Sequence, residues 1–385
     1  SVATKKPDDV IAHFTQYPHQ KIIDEGHEGA TLLLHNGRQV DLRVQEPKKY
    51  GAMLQYFTGS KNHNIKLREL ALQKGLSLNE YGIKNIRTKK TNFYSTEESF
   101  YKAVGIDWMS PEIREDKGEI EAAMMGKLPK LVEIADIKGD LHMHTNYDLE
   151  PSHDLGADPL PAYLDKAASL GYEYIGLSDH NPSITNHTTM QIIEIMKRRR
   201  EKYEQLLDTW KKRTQKHIFI FIMCEVDIFP NGKLALPETA FEFVDSVIVS
   251  LHSSFTQPRA EVTQRVVRAL TAHPKVRIFG HPTARLLTKR EGVDLNWKEI
   301  FAVCKERDIA LEINAYPQRL DLPDTVVFDA VKKGVKMCID TDAHAVGQMD
   351  MMKYGVSVAR RGWATKGDIA NTLPWVEFKK LFRYH

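Results

Sequence analysis

The texture of the chain changes near residue 138. Before that point, apolar and polar positions alternate in ATLLLHNGRQVDLRV on either side of Asn36-Gly37, which predicts a β-hairpin with a two-residue turn. Residues 51–111 read as helices and turns, and LRELALQKG closes at Gly75 with the residue type that ends helices. Residues 112–137, within EIREDKGEIEAAMMGKLPKLVEI, are polar with no β period and read as a partly helical connector. After it come seven apolar runs of strand length: DLHMH, YEYIGLSDH, IFIFIMCEVDI, VDSVIVSLHSS, RIFGHP, ALEINAY and KMCIDTDAH. Helices are predicted near 159–170 and, with a basic face, near 188–213. Continuous apolar strands separated by helices predict an α/β fold with a parallel sheet covered on both faces. Seven such units predict a barrel related to the eight-stranded kind.

Composition adds little to this. The chain has 385 residues, 42% hydrophobic and 27% charged, which is ordinary for a globular protein with a sizeable core. A net charge of +3 does not by itself argue for nucleic acid. The run KRRREKYEQLLDTWKKRTQKH reads either as the solvated outer face of a barrel helix or as a nucleic-acid grip. Cys224, Cys304 and Cys338 lie far apart, in no zinc-ribbon or disulfide spacing, and are expected to be buried thiols. No segment nears the ~18 consecutive apolar residues of a membrane helix, and no secretory signal pattern is seen. A cytoplasmic protein without a membrane partner is expected.

Sixteen histidines change the picture more. GDLHMHTNYDLEPSHDLG gathers three His, three Asp and one Glu. The first predicted strand ends in His142 and His144, the second in Asp179-His180, and the third in Glu225 and Asp227. The fourth ends at His252, the fifth at His281 and the seventh at Asp342 and His344. In a parallel barrel these ends share one rim. Side chains two apart on a strand point to the same side, so HxH and DxH reach a common ion. Imidazole mixed with carboxylate suits zinc, manganese or iron. So many ligands suit two or three ions, which activate water and clamp both oxygens in phosphoester hydrolysis.

The pieces GDLHMHT, LSDH, CEVD, SLHSS, FGHPTARLL and DTDAH resemble a PHP domain (polymerase and histidinol phosphatase). The resemblance implies a distorted seven-stranded barrel over 138–385 with a trinuclear centre. His142, His144, Glu225 and Asp342 would hold one ion. Glu225 would bridge to a second, shared with His252 and His281. His180 and His344 would hold the third with Asp154, for which Asp148 and His153 are alternatives. Mn2+ or Zn2+ is expected, with Fe2+ as a further choice. Arg285 and Arg319 could grip a phosphate, and Asp179 and Asp227 could orient ligands.

QYFTGSKNHNIKLRELALQKGLSLNEYGI resembles the end of the palm and the thumb of family X DNA polymerases. The resemblance implies a palm-end hairpin over 1–50, a thumb over 51–111, and nucleotide contacts from Tyr56, Phe57, Gly59, Ser60, Asn64 and Arg68. Asp41 matches the third catalytic carboxylate of that palm. The DxD pair that completes its Mg2+ site is not seen, since Asp8-Asp9 are adjacent at a helix start. A fragment or a natural split piece is expected, unable to extend primers alone. The combination implies a metal-dependent phosphoesterase on DNA 3′ ends, exonuclease or 3′-phosphatase, within a family X repair polymerase acting on primer ends and gapped duplex. The barrel alone also allows a small-molecule phosphatase of the histidinol-phosphatase type. A non-enzymatic DNA-binding fragment is the third reading.

Overall fold

A computed structural model describes residues 1–382; the last three residues of the expected barrel segment lie outside the described residues. The chain forms two compact units, residues 1–128 and 129 onward.

In the first unit, strands β1 (Val2–Ala3), β2 (Lys21–Gly26), β3 (Gly29–Leu33) and β4 (Gln39–Gln45) form a sheet in the order β1-β4-β3-β2. Ile11 of the Pro7–Phe14 helix packs with Ala30, Leu42 and Val44 beneath it. The turn at Asn36-Gly37 is longer than the two-residue hairpin predicted from sequence. Gly37 donates to the Leu34 carbonyl and sits at φ +78, while Leu34 and Arg38 still pair. This is a turn with a left-handed residue at its end, a role glycine takes without strain. Helices Tyr50–Thr58 and Lys61–Gln73 follow, the second closed by Gly75 at φ +70. A small sheet of β5 (Leu76–Asn79), β6 (Gly82–Asn85) and β7 (Thr91–Asn92) follows, and the Glu97–Val104 and Glu119–Met124 helices complete the unit.

The second unit is a nearly closed parallel barrel. Its strands are β8 (Gly139–Asp140), β9 (Tyr174–Leu177), β10 (Phe219–Asp227), β11 (Ser246–Ser250), β12 (Val276–Phe279), β13 (Ala310–Asn314) and β14 (Met337–Asp340). They pair in sequence order, all in parallel, and Met143 bridges Ala343 across the seam. Helices including Leu160–Leu170 and Thr189–Thr214 cover the outside. Strands buried on both faces explain why their sequences read as unbroken apolar runs. The three cysteines are free and buried. No helix among the described residues is long and apolar enough to cross a membrane.

Candidate metal centre

The barrel delivers polar side chains where its strands end. His142 lies two residues past β8, His180 three past β9, His252 two past β11, His281 two past β12 and Asp342 two past β14, while Glu225 sits near the end of β10. Two backbone features let these ends converge. Gly280 passes so close to β11 that a Cβ there would meet Ser250 Oγ at 2.4 Å. His281 and Asp342 turn off their strands at φ +26 and +53.

Glu225 is the hub. Its Oε2 lies 3.2 Å from His142 Nε2, 3.5 Å from His144 Nε2 and 3.1 Å from His180 Nδ1. Its Oε1 lies 3.3 Å from His252 Nε2 and 2.9 Å from His281 Nε2. Asp342 Oδ1 is 3.2 Å from His144 Nε2 and 3.5 Å from His142 Nε2. Three groups thus have ligand atoms near enough to share an ion: His142, His144, Glu225 and Asp342; His180, Glu225 and His252; His144, His180 and His344. A fourth, His153, Asp227 and His252, lies at the rim.

These donors fit divalent cations. His142 Nε2, both nitrogens of His144, His180 Nδ1, Glu225 Oε2 and His344 Nε2 are buried without a hydrogen-bond partner. Orphaned polar atoms in a protein interior are costly unless something binds them. Electrostatics agree. Burial opposes ionisation of Glu225, but His142, His252 and His180 hold its carboxyl well below the usual range. Burial likewise lowers His144, His180 and His281, the last to about 3, which leaves neutral imidazoles suited to ligation. His142 and His252 are counter-cases: burial opposes their charge, yet Glu312, Asp342 and Glu225 raise His142 well above its usual range, and Glu225 and Asp227 raise His252 to about 9.

A second layer aims these side chains, and the sequence reading found only part of it. Asp227 Oδ1 accepts from His252 Nδ1 at 2.6 Å and from His153 Nε2 at 2.9 Å. Asp179 hydrogen-bonds to no imidazole among the described residues. It accepts from the Thr145 backbone N–H, from Tyr203 and from the buried Arg199, and so clamps the chain just after His144. Glu312 and Asn314 were missed. Glu312 Oε1 lies 2.6 Å from His142 Nδ1, and Asn314 Nδ2 donates to Asp342 Oδ2 at 3.1 Å. The available signal was two polar residues at period two inside the apolar run ALEINAY.

Asp154 has an exposed side chain and sits 3.8 Å from His180 Nε2 and 3.7 Å from His344 Nε2. Gly156 holds that loop against the rim, since a Cβ there would meet the His144 carbonyl oxygen at 1.9 Å. His153 points to Asp227, and Asp148 accepts from the Glu150 N–H. Arg285 is not brought to the pocket. Its guanidinium donates to the carbonyls of Arg319 and Leu320, tying two rim loops together. The arginines lining the cavity of about 440 Å³ over the centre are Arg319 and Arg290, with Phe255 and Tyr316 beside them.

In the first unit, Tyr56, Phe57, Gly59, Ser60, Asn64 and Arg68 line one cavity of about 400 Å³. Ser60 Oγ caps the Lys61–Gln73 helix, and Asn64 bridges the Gln55 side chain and the Tyr56 carbonyl. Asp41 lies apart from that cavity's lining, on β4, where Thr31 and Gln39 donate to it.

Comparison with known proteins follows the same division. Residues 53–115 match the DNA polymerase beta thumb, and residues 140–316 match the PHP domain. Over 375 residues the chain is 32% identical to the DNA polymerase/3′-5′ exonuclease PolX of Bacillus subtilis, covering 96% of the chain and 63% of that protein. The chain thus carries a segment that matches a DNA polymerase beta thumb and one that matches a PHP domain, and it is similar to that PolX along nearly its whole length. It spans less than two thirds of the length of that relative. The chain is also similar to a probable phosphatase of Clostridium acetobutylicum, 24% identical over 56% of the chain and 83% of that protein. A probable phosphatase of Thermoanaerobacter sp. matches at 24% identity over 54% of the chain and 81% of its own length. PHP domains are metal-dependent, and this one carries a His/Asp/Glu cluster able to hold metal.

Proposed function

We propose that the barrel is a metal-dependent phosphoesterase that acts on DNA 3′ ends, as a 3′–5′ exonuclease or 3′-phosphatase, in a repair polymerase. One observation carries the reading: buried, partnerless donor atoms of five residues converge on a single rim, in a chain that also carries a polymerase-type thumb. His142, His144, Glu225 and Asp342 would hold one ion, and Glu225 with His252 and either His180 or His281 would hold a second. His180 and His344 would hold a third, with Asp154 as its carboxylate. Mn2+ or Zn2+ suits this donor set, and Fe2+ is the further choice. Bound divalent ions supply Lewis acidity at a phosphoryl group and a nucleophile from water. The chain's own residues fix the donors, exclude bulk water from the base of the site, and present Arg319 to the phosphate. The thumb cavity lined by Tyr56, Phe57, Gly59, Ser60, Asn64 and Arg68 contacts the DNA or an incoming nucleotide.

The purified chain should release label from a 3′-labelled primer with manganese. It should lose that activity with a chelator and with His142→Ala. Label release that is indifferent to both would overturn the reading. A small-molecule phosphatase is the second reading, favoured by the two probable phosphatases matched over most of their length. Turnover of a phosphorylated amino alcohol beside a DNA 3′ end separates the two.

A further inference from the structure

The cavity that the candidate ligands line is not polar throughout, as a bare phosphate site would be. Phe255, Leu286, Arg290 and Tyr316 line it together with Arg319. Phe255 follows Ser254, whose φ of +53 turns the chain inward after β11. The Arg290 guanidinium carbon lies 3.7 Å from the centre of the Phe255 ring. At that distance the two groups are in stacking contact. Arg290 is held there from behind: its Nε and Nη2 both donate to the Ala284 carbonyl, at 3.0 and 2.7 Å. Its backbone is fixed as well, because Leu286 and Arg290 pair across a tight turn. Arg319 differs. Its Nε lies 3.3 Å from Asp342 Oδ2, and its Nη1 is buried with no partner, so it carries a donor in reserve next to the candidate ions.

The cavity therefore has a charged end, with Arg319 beside the metal-type donors, and a flat end made of an aromatic ring with a fixed guanidinium on it. A ligand that satisfies both ends carries a phosphoryl group and a planar π-system. Free bases stack on aromatic rings and on guanidinium planes, whatever their sequence. Resting on the phosphoesterase reading above, we propose that Phe255 and Arg290 form the platform on which the base of the terminal nucleotide stacks. They would thereby set the preference of the site for nucleotides over base-free sugar phosphates. Arg290 acts by its plane more than by its charge, since two of its donor nitrogens are already committed to Ala284. The terminal nucleotide must then leave its neighbour in the strand to reach the platform, which favours frayed or single-stranded 3′ ends.

The test compares dAMP with 2-deoxyribose 5-phosphate by isothermal titration calorimetry on the manganese-loaded chain. It is paired with hydrolysis of oligonucleotides ending in a normal or an abasic 3′ residue. Wild type should bind dAMP at least ten-fold more tightly than the sugar phosphate. Phe255→Ala and Arg290→Lys should each cut that ratio by roughly five- to one-hundred-fold, the range of one lost stacking contact. Both should hydrolyse the abasic end within about two-fold of wild type and hold as much metal, which controls for folding. Equal binding of the two probes by wild type would overturn the proposal. So would variants that weaken both probes alike. In either case metal-dependent hydrolysis by wild type would leave the phosphoesterase reading intact. Its loss would instead sink that reading.

Discussion

Glu312 Oε1 and His142 Nδ1 stand 2.6 Å apart, both fully buried, and this pairing leaves Nε2 of His142 beside Glu225 at 3.2 Å. A carboxylate on one ring nitrogen fixes the orientation of the imidazole and raises the basicity of the other. Burial pushes the Glu312 carboxyl up, and the His142 contact opposes that push. Glu312→Gln should weaken metal affinity by roughly 10- to 100-fold while the barrel stays folded. Competition titration with a fluorescent chelator measures this, with circular dichroism as the folding check. An unchanged affinity would remove Glu312 from the ligand-orienting layer.

Arg199 is fully buried and gives its Nη2 to Asp179 at 2.6 Å, while Nη1 and Nη2 also reach the carbonyls of Met223 and Leu177. Burial opposes the charge on Asp179, but Arg199 keeps its carboxyl below the ordinary range. Removing one partner strands the other charge in the core. Arg199→Met is therefore expected to cost about 3–5 kcal/mol in urea unfolding. Pairing it with Asp179→Asn should recover part of that loss. Equal instability of the single and double variants would contradict the pairing.

The strands and their ends were legible in the sequence for a physical reason. A strand buried on both faces leaves an unbroken apolar run, and a metal-type residue at its end then stands out, as in YEYIGLSDH and IFIFIMCEVDI. The ligand-aiming groups were less legible. Glu312 and Asn314 lie inside β13 and look like interruptions of an apolar run until the barrel places them under His142 and Asp342. Arg285 looked like the phosphate clamp because it follows His281 closely, yet two loop carbonyls claim it. The stacking of Phe255 on Arg290 joins two loops separated by β12, which no local pattern encodes.

Asp321 offers a pH-dependent test. Burial pushes its carboxyl up to about 6, and the Thr283 contacts only partly offset this. The unfolded chain ionises near the ordinary value of about 3.9, so it releases this proton first as pH rises. The group's contribution to stability is then fully present below about pH 4. It falls as pH rises through 6 and levels off above, by roughly 2–3 kcal/mol. Asp321→Asn cannot titrate. The difference in unfolding free energy between variant and wild type, measured in chelator from pH 4 to pH 8, should move in favour of the variant by about that amount. A constant difference would contradict the raised carboxyl.

The buried thiols give a simpler expectation. Burial pushes Cys224 and Cys304 up to about 12, and Cys338 well above its usual range. Thiolates react and thiols do not. A disulfide reagent at pH 8 should therefore label none of the three in the native chain within minutes, and all three in guanidinium.

The convergence of distant histidines and acids on Glu225 is tested most directly by elemental analysis after manganese loading and gel filtration. Wild type should retain at least two ions per chain, and Glu225→Gln should retain fewer than one. A wild-type chain holding less than one ion, or a Glu225→Gln chain holding as many as wild type, would contradict a cation cluster built around that carboxylate.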